Sequence, residues 1–258
     1  MTPLPLDPHA RAVLERAVAE ESAKRRHLVI TLSGAHAYGF PSPDSDLDLK
    51  AVHVDPTDRI LGLSAPPAHV DRMEVLDGVE IDYTSNEIKP VLHGVLHGNG
   101  NYIERLLGRL VPQAAPDLAS LQPLVRACLS RRVAGHYLGF SGSQLAAFTK
   151  DPTAKKILYV LRTALTGVHA LRTGEIVTDL EALCDPYGLS AARDLIVTKR
   201  RGERVKLDPE EAARWQSEAD SALALLRAAV PDSLLPPEPP TEAARALEAW
   251  LIDLRRRS

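Results

Sequence analysis

The sequence is poor in cysteine and in long apolar runs, and each shortage excludes a class of protein. Its two cysteines, Cys128 and Cys184, lie far apart, so neither a disulfide framework nor a CxxC metal clip is expected. No apolar run approaches the roughly 20 residues of a membrane span. The first residues also lack the basic-then-apolar order of a signal peptide. We therefore expect a cytoplasmic protein without a membrane partner.

Charge of one sign is also scarce, since 31 Lys and Arg stand against 34 Asp and Glu for a net charge of −3. This balance is not that of a tight, non-specific DNA-binding protein. Hydrophobic residues make up 45% of the 258 positions, an ordinary share for a globular protein. A chain of this length can bury a sizeable core without disulfides or metals as staples.

The first part of the chain alternates between helical and strand patterns. Apolar residues at helical spacing predict a helix over about 8–26, and β-branched or alternating runs predict strands. The predicted strands are 27–33, 46–54 and 79–84, and helical composition returns at 86–98.

From about Leu121 the sequence is nearly all helical. Asp151 followed by Pro152 predicts an N-cap and first turn, with the helix running to Arg172 and stopping at Gly174. Asp208 and Pro209 repeat this start signal for a helix that reaches about Val230. The proline-rich stretch 233–240 precedes a last helix, 241–256.

These patterns predict an α+β fold in which a small mixed-sheet domain is followed by an all-helical domain. The predicted boundaries are 1–112 for the first domain and 113–232 for the helical domain. Residues 233–258 form the linker and C-terminal helix.

The segment from Ser33 to Lys50 is the richest in chemistry. A predicted strand leads into a glycine turn, and a second strand then opens with the sequence Asp46-Leu47-Asp48-Leu49. Because side chains alternate along a strand, both aspartates share one face, roughly 7 Å apart along the chain. Two such carboxylates are suitable ligands for hard divalent cations, and the glycine turn lets backbone N–H groups approach nucleotide phosphates.

This segment resembles the nucleotidyltransferase motif of the DNA polymerase β superfamily, a glycine-serine turn followed about ten residues later by alternating aspartates. The wording AYGFPSPDSDLDLK is most similar to the RNA repair pathway DNA polymerase beta family. Weaker similarities follow at VEIDYTSNEI, GNGNYIERLL, KKILYVLR and LRTGEI, so the resemblance covers about residues 28–176.

The resemblance implies a nucleotidyltransferase that binds two Mg²⁺ or Mn²⁺ ions through three carboxylates. Asp46 and Asp48 supply two of them, and the strand 79–84 offers Glu80 and Asp82 on one face for the third. Asp82 is favoured, since it matches the family's aspartate three residues before Ser85, and Glu80 is the reserve. Asp46, Asp48 and Asp82 are thus the implied catalytic and metal-binding residues.

The implied substrates are a nucleoside triphosphate such as ATP and an acceptor hydroxyl, with an RNA end or tRNA as the expected acceptor. The implied nucleotide-binding residues are Ser33, Gly34, Ala35, His36, Lys155, Tyr159 and Arg162. The sequence departs from the family at Ala35, where the family usually has serine. The alternatives are nucleotide transfer to a protein or small molecule, and a non-catalytic module that binds nucleotides or RNA ends.

The helix predicted after Asp151 carries two stripes. An apolar stripe of Ile157, Leu161, Leu165 and Val168 is expected to lie in the core of the helical domain. A second, polar stripe is either solvated or directed at the triphosphate, and Lys156 points elsewhere. Its members are Lys155, Tyr159, Arg162, Thr166 and His169.

Three further features favour plain structural roles. His93 and His97 have the spacing of zinc ligands, but the glutamate of HExxH is absent and no third ligand is evident. The basic run 199–204 is a solvated loop or a contact to an RNA backbone. The arginines 255–257 are expected to form a frayed, solvated end.

Overall fold

The computed structural model describes residues 4–202 and 205–258, and within them the chain forms a sheet of five strands and twelve helices. The strands are β1 (His27–Leu32), β2 (Leu47–His53), β3 (His69–Leu76), β4 (Val79–Glu87) and β5 (Gln113–Ala114). The helices are α1 (Pro8–Lys24), α2 (Gly34–Tyr38), α3 (Thr57–Leu61), α4 (Ile88–Leu96), α5 (Gly100–Leu107), α6 (Asp117–Ala127), α7 (Val133–Lys150), α8 (Ala154–Thr173), α9 (Leu180–Cys184), α10 (Ala192–Lys199), α11 (Pro209–Ala229) and α12 (Thr241–Arg256). The fold class is α+β, as predicted.

The sheet has the order β3-β4-β2-β1-β5, in which β2 and β4 run parallel and the other neighbours run antiparallel. The three predicted strands are confirmed as β1, β2 and β4. Strand β3 was not predicted, because charged residues occupy both of its faces in an edge strand with little buried surface. It is joined to β4 by the turn at Asp77 and Gly78, both with positive φ.

One face of the sheet packs against helix α1 and forms a hydrophobic core with it. Asp7 is the N-cap of helix α1, and its carboxylate accepts hydrogen bonds from the backbone N–H groups of His9 and Ala10. Its apolar stripe covers the inward side chains of the central strands. The shared core comprises Val13, Leu14, Ala17, Ile30, Leu32, Leu47, Leu49, Ala51, Ile81 and Tyr83. The other face of β2 and β4 carries the polar side chains of Asp48, Lys50, Asp82 and Thr84, followed by the buried Val52.

The chain divides into two compact units. The first contains residues up to Gly34 together with 46–128 and 239–258, and the second contains 35–45 and 129–238. The sequence placed the end of the first domain at 112 and set 233–258 apart. In the structure, residues 113–128 and the C-terminal helix group with the sheet, and the short segment 35–45 groups with the helices.

The second unit is built around α8, which lies against α7 and α11. The predicted apolar stripe is fully buried, with Ile157, Leu161, Leu165 and Val168 all at 0% exposure. Gly167 allows the close approach of these helices, since a Cβ there would lie 2.7 Å from the Cβ of Tyr137.

The predicted start of α8 is wrong by two residues. Thr153 is the N-cap and accepts a hydrogen bond from the backbone N–H of Lys156, whereas Asp151 ends α7. The carboxylate of Asp151 instead forms an ion pair with the Lys156 ammonium at 2.6 Å, and Thr153 caps the helix in its place. The predicted stop is confirmed, because Gly174 ends the helix in the left-handed conformation.

The C-terminal helix is part of the first unit and its end is not frayed. Arg255 forms an ion pair with the buried Glu87 and donates a hydrogen bond to the backbone carbonyl of Asp55 at 2.9 Å. Arg257 pairs with Asp117 at 3.1 Å. The expectation of a solvated arginine end is therefore wrong, since two of the three arginines hold α12 to the sheet and to α6.

A buried polar group lies beneath α1 in the same unit. His27 bonds through Nε2 to the hydroxyl of Tyr83 at 2.7 Å, and Arg25 donates to that hydroxyl at 3.1 Å. Burial lowers the pKa of His27 to about 4, helped by the positive charges of Arg25 and His53 and opposed by Glu21. The imidazole is therefore neutral in the folded protein at neutral pH.

Candidate active site

The polar face of the sheet brings two carboxylates together on adjacent parallel strands. Asp48 on β2 is the register partner of Asp82 on β4, and both side chains lie on the face opposite α1 because Leu47, Leu49, Ile81 and Tyr83 are buried in the core. The Asp48 side chain is 17% exposed and that of Asp82 is 31% exposed. The pair is thus partly shielded from solvent yet open to a ligand.

Lys50 is the third member of this group, and no role was predicted for it from the sequence. Its ammonium lies 2.8 Å from Oδ2 of Asp82 and 3.5 Å from Oδ1 of Asp48. The same alternation that placed Asp46 and Asp48 on one face also places Lys50 there. That signal was sufficient to find it.

The electrostatics of Asp48 are those of a crowded anionic site. Its pKa is raised to about 6, first by burial and then by the neighbouring charges of Asp46 and Asp82, while Lys50 acts in the opposite direction. A carboxylate whose charge is disfavoured in this way is stabilised by an added cation. The group therefore has the charge that suits a divalent metal ion.

The glycine turn of the motif lies directly against Asp48. Gly34 has a φ of +59°, and a Cβ added there would lie 1.8 Å from Oδ2 of Asp48. The backbone N–H of Ser33 also donates to the backbone carbonyl of Asp48 at 2.8 Å. Both the left-handed backbone and the close approach thus require glycine at this position.

The remaining two candidate acids differ in their surroundings. Asp46 directly precedes β2 and is partly buried, and its charge acts on Asp48. Glu80 is exposed and pairs across the hairpin with Val75 of the edge strand. The position of Asp82 opposite Asp48 makes it the better candidate for the third carboxylate.

The other predicted nucleotide-binding residues are divided between the units. Ser33 and Gly34 belong to the first unit, and Ala35, His36, Lys155, Tyr159 and Arg162 belong to the second. Within the second unit, the guanidinium of Arg162 lies 3.8 Å from the centre of the Tyr38 ring, and Tyr159 meets the same ring edge-on at 5.5 Å.

The polar stripe of α8 is therefore not a solvated surface as a whole. Arg162 is 3% exposed and Thr166 is fully buried, with its hydroxyl donating to the backbone carbonyl of Val177 at 2.8 Å. Lys155 and Tyr159 are half-buried. The stripe lies in part against the segment 35–45 that follows the glycine turn.

The basic run 199–204 is also not a plain solvated loop. Lys199 is fully buried, and Arg200 donates to the backbone carbonyl of Gly39 at 3.3 Å. Arg201 is exposed, and positions 203 and 204 lie outside the described residues. Its first two residues thus bind the segment 35–45 instead of remaining in solvent.

No set of three His, Cys, Asp or Glu side chains in the described part of the chain is arranged as a preformed metal site. His93 and His97 stack on one another with ring centres 4.2 Å apart. In the carboxylate group, Lys50 holds Asp82. The donor set still suits Mg²⁺ or Mn²⁺, because hard cations take carboxylate oxygens and the carboxylates of Asp48 and Asp82 lie on adjacent strands.

None of the helices in the described residues combines the length and apolar composition needed to cross a membrane.

Comparison with known proteins points to one family. The model of the RNA repair pathway DNA polymerase beta family (RlaP) matches residues 7–253. An uncharacterized protein of Methanocaldococcus jannaschii is 26% identical over 159 residues, which are 60% of this chain and 64% of that protein. The match therefore spans less than two thirds of the relative's own length. A crystal structure of a nucleotidyltransferase-like protein from Exiguobacterium sibiricum is 11% identical and covers 95% of this chain and 80% of its own, with a TM-score of 0.33, too low to establish a shared fold.

Proposed function

The chain belongs to the RNA repair pathway DNA polymerase beta family, and on that premise we propose that it is a metal-dependent nucleotidyltransferase. It transfers a nucleoside monophosphate from a nucleoside triphosphate to an acceptor hydroxyl and releases pyrophosphate. The acceptor we propose is an RNA end or a tRNA. The observation that carries the proposal is the pairing of Asp48 with Asp82 on adjacent parallel strands beside the glycine turn.

In this function Asp46, Asp48 and Asp82 would hold the divalent ions through carboxylate oxygens. When bound, the ions supply charge neutralisation for the triphosphate and activation of the acceptor hydroxyl. Gly34 brings the turn close enough to Asp48 for its backbone to approach a phosphate. Lys50 holds the carboxylate of Asp82 in an ion pair, with its ammonium 2.8 Å from Oδ2.

In the second unit we assign Arg162 and Lys155 to the triphosphate. The buried guanidinium of Arg162 lies over the ring of Tyr38, a residue four positions after Gly34. A guanidinium placed there suits the charge of phosphates and of the leaving pyrophosphate. Ala35 supplies no hydroxyl, so the backbone amides of the turn and Ser33 or His36 are the remaining donors.

A second candidate is a non-catalytic module that binds nucleotides or RNA ends. The observation that favours it is the Lys50–Asp82 ion pair, in which the chain itself provides the cation for the third carboxylate. Transfer to a protein or small molecule would use the same site and is distinguished by where the label arrives.

The test is incubation with each nucleoside triphosphate, labelled at the α-phosphate or at the γ-phosphate, with Mg²⁺ or Mn²⁺ and a short RNA or tRNA. Label from the α-position in RNA, with γ-label released as pyrophosphate, is the expected result. Label in protein or in a small molecule would change the acceptor. Nucleotide binding without any transfer would favour the second candidate.

A matched pair of variants locates the activity. Asp48→Asn should abolish transfer, whereas Asp71→Asn should not, since Asp71 lies on the same sheet face but is exposed and paired with His69 at 2.7 Å. Equal transfer by both folded variants would place the chemistry elsewhere.

A further inference from the structure

Lys199, the last residue of α10, is a charged side chain buried to 0% exposure in the second unit. Its ammonium donates hydrogen bonds to the hydroxyls of Ser42 at 2.6 Å and Ser45 at 2.9 Å. A buried ammonium loses its hydration and needs such partners. An apolar side chain of similar length would fill the same space without that cost, so the value of the lysine lies in the directed bonds.

The two serines form the ends of a tight turn. The backbone N–H of Ser45 donates to the carbonyl of Ser42 at 3.0 Å, and the backbone N–H of Ser42 donates to the hydroxyl of Ser45 at 3.0 Å. Pro43 and Asp44 occupy the middle of the turn, as is common in such turns. Lys199 joins both hydroxyls and so braces the turn from the side.

The turn ends where the candidate metal-binding strand begins. Ser45 is followed directly by Asp46, and consecutive Cα atoms are about 3.8 Å apart, so the backbone at Ser45 limits where Asp46 can lie. Segment 35–45 groups with the second unit, whereas Asp46 and Asp48 group with the first. The chain therefore leaves the segment held by Lys199 one residue before the first carboxylate.

Other bonds hold the earlier part of the same segment. The hydroxyl of Thr178 donates to the backbone carbonyl of Ala37 at 3.2 Å, and Arg200 donates to that of Gly39 at 3.3 Å. These contacts act three or more residues before Ser42. The end of the segment, next to Asp46, is the part that Lys199 holds.

We propose that Lys199 is a positioning residue of the candidate active site, which fixes the Ser42–Ser45 turn and through it the backbone that leads into Asp46. The kinetic consequence rests on the proposed function, whereas the structural consequence does not. Lys199, the first residue of the basic run, thus supports the site through the turn and does not contact an RNA backbone.

The test compares Lys199→Met, which keeps the length of the side chain, with Lys199→Arg, which keeps its charge. Lys150→Met is the matched control, because Lys150 is exposed at the end of α7 in the same unit. Hydrogen exchange of peptides covering 42–48 and of peptides from α8 is the first measurement. Titration with Mn²⁺ alone is the second, and the turnover number at saturating Mn²⁺ and nucleotide is the third.

For Lys199→Met we expect exchange at 42–48 to rise about tenfold or more while α8 stays protected. Mn²⁺ affinity should fall about fivefold or more, and the turnover number about tenfold. Lys199→Arg should recover part of each loss. Lys150→Met should match the wild type in all three measurements.

Several results would overturn the proposal. One is a folded Lys199→Met protein with the exchange and Mn²⁺ affinity of Lys150→Met. Another is faster exchange in α8 to the same degree as at 42–48, which would mean a general packing role. If Lys199→Met does not fold, Ser45→Ala takes its place, since Ser45 is only partly buried; wild-type exchange and affinity in that variant would also overturn it. A wild-type protein that transfers no nucleotide would refute the proposed function, while exchange at 42–48 still decides the role of Lys199.

Discussion

Replacing Gly34 by alanine should damage the candidate active site far more than it damages the fold. The added Cβ would lie 1.8 Å from Oδ2 and 2.7 Å from Cγ of Asp48, distances that no packing allows, and 3.1 Å from its Cβ, which is tight. The carboxylate is the movable end of Asp48. We therefore expect the Asp48 side chain to rotate away from the turn and its backbone to stay in β2.

The cost in stability has two parts. A left-handed φ of +59° costs an alanine about 1–2 kcal/mol relative to glycine. Forcing Asp48 off its preferred rotamer adds about 0.5–1.5 kcal/mol. Gly78→Ala is the matched control, because Gly78 also has a positive φ, +84°, but a Cβ there meets nothing within 4 Å. It should show the backbone cost alone.

The functional cost should be much larger. With its carboxylate turned away, Gly34→Ala should lose nucleotide transfer about 100-fold or more, equivalent to about 2.7 kcal/mol in the transition state. Gly78→Ala should keep it within a few fold. Urea unfolding measures the free energy of unfolding of each variant. Mn²⁺ titration and single-turnover kinetics measure its metal affinity and its transfer rate.

A double-variant cycle isolates the contact. In an Asp48→Ala background the atoms at 1.8 and 2.7 Å are gone, so adding Gly34→Ala should cost little beyond what Gly78→Ala costs. If Gly34→Ala keeps the Mn²⁺ affinity and transfer rate of Gly78→Ala, the close approach of the turn to Asp48 does not matter for the site, and the reasoning fails.

Three further predictions concern the site and the fold. Asp82→Asn should abolish transfer and Glu80→Gln should not; steady-state kinetics on both decide, and the reverse result would move the third carboxylate to Glu80. Arg162→Ala should lower kcat/KM for the nucleotide at least tenfold, about 1.4 kcal/mol. Lys156→Ala should change kcat/KM little, because the Lys156 ammonium is already in an ion pair at 2.6 Å. Equal, small effects of the two variants would remove Arg162 from the site. Burial holds the pKa of His27 at about 4 in the folded protein, against about 6.5 in the unfolded chain. The unfolded chain therefore takes up the proton first as the pH falls. The free energy of unfolding should then decrease by up to about 3 kcal/mol between pH 6.5 and pH 4. Urea unfolding of the wild type and of His27→Gln across that range should show a flatter profile for the variant, and parallel profiles would contradict this assignment.

Local patterns were enough for three of the five strands in the described residues and for helices α1, α4, α8, α11 and α12. The predicted strands are β1, β2 and β4 within a few residues, and the last helix, 241–256, has the observed bounds. These segments are strongly periodic or bounded by proline and glycine, so burial and backbone preference point the same way. Strand β3 was missed because charged residues lie on both of its faces, so its half-buried face has no apolar alternation.

Alternation in DLDLK and in VEIDYT was enough to predict an acidic face, since it places Asp46 and Asp48 on one side of the first segment and Glu80 and Asp82 on one side of the second. Alternation does not show which strands are neighbours, because strand pairing depends on residues far apart in the sequence. The fold places β4 parallel to β2, so that Asp82 and not Glu80 stands opposite Asp48. Likewise, only the folded chain buries Lys199 against a turn more than 150 residues earlier, because burial of a charged residue depends on partners that its neighbours in sequence do not reveal.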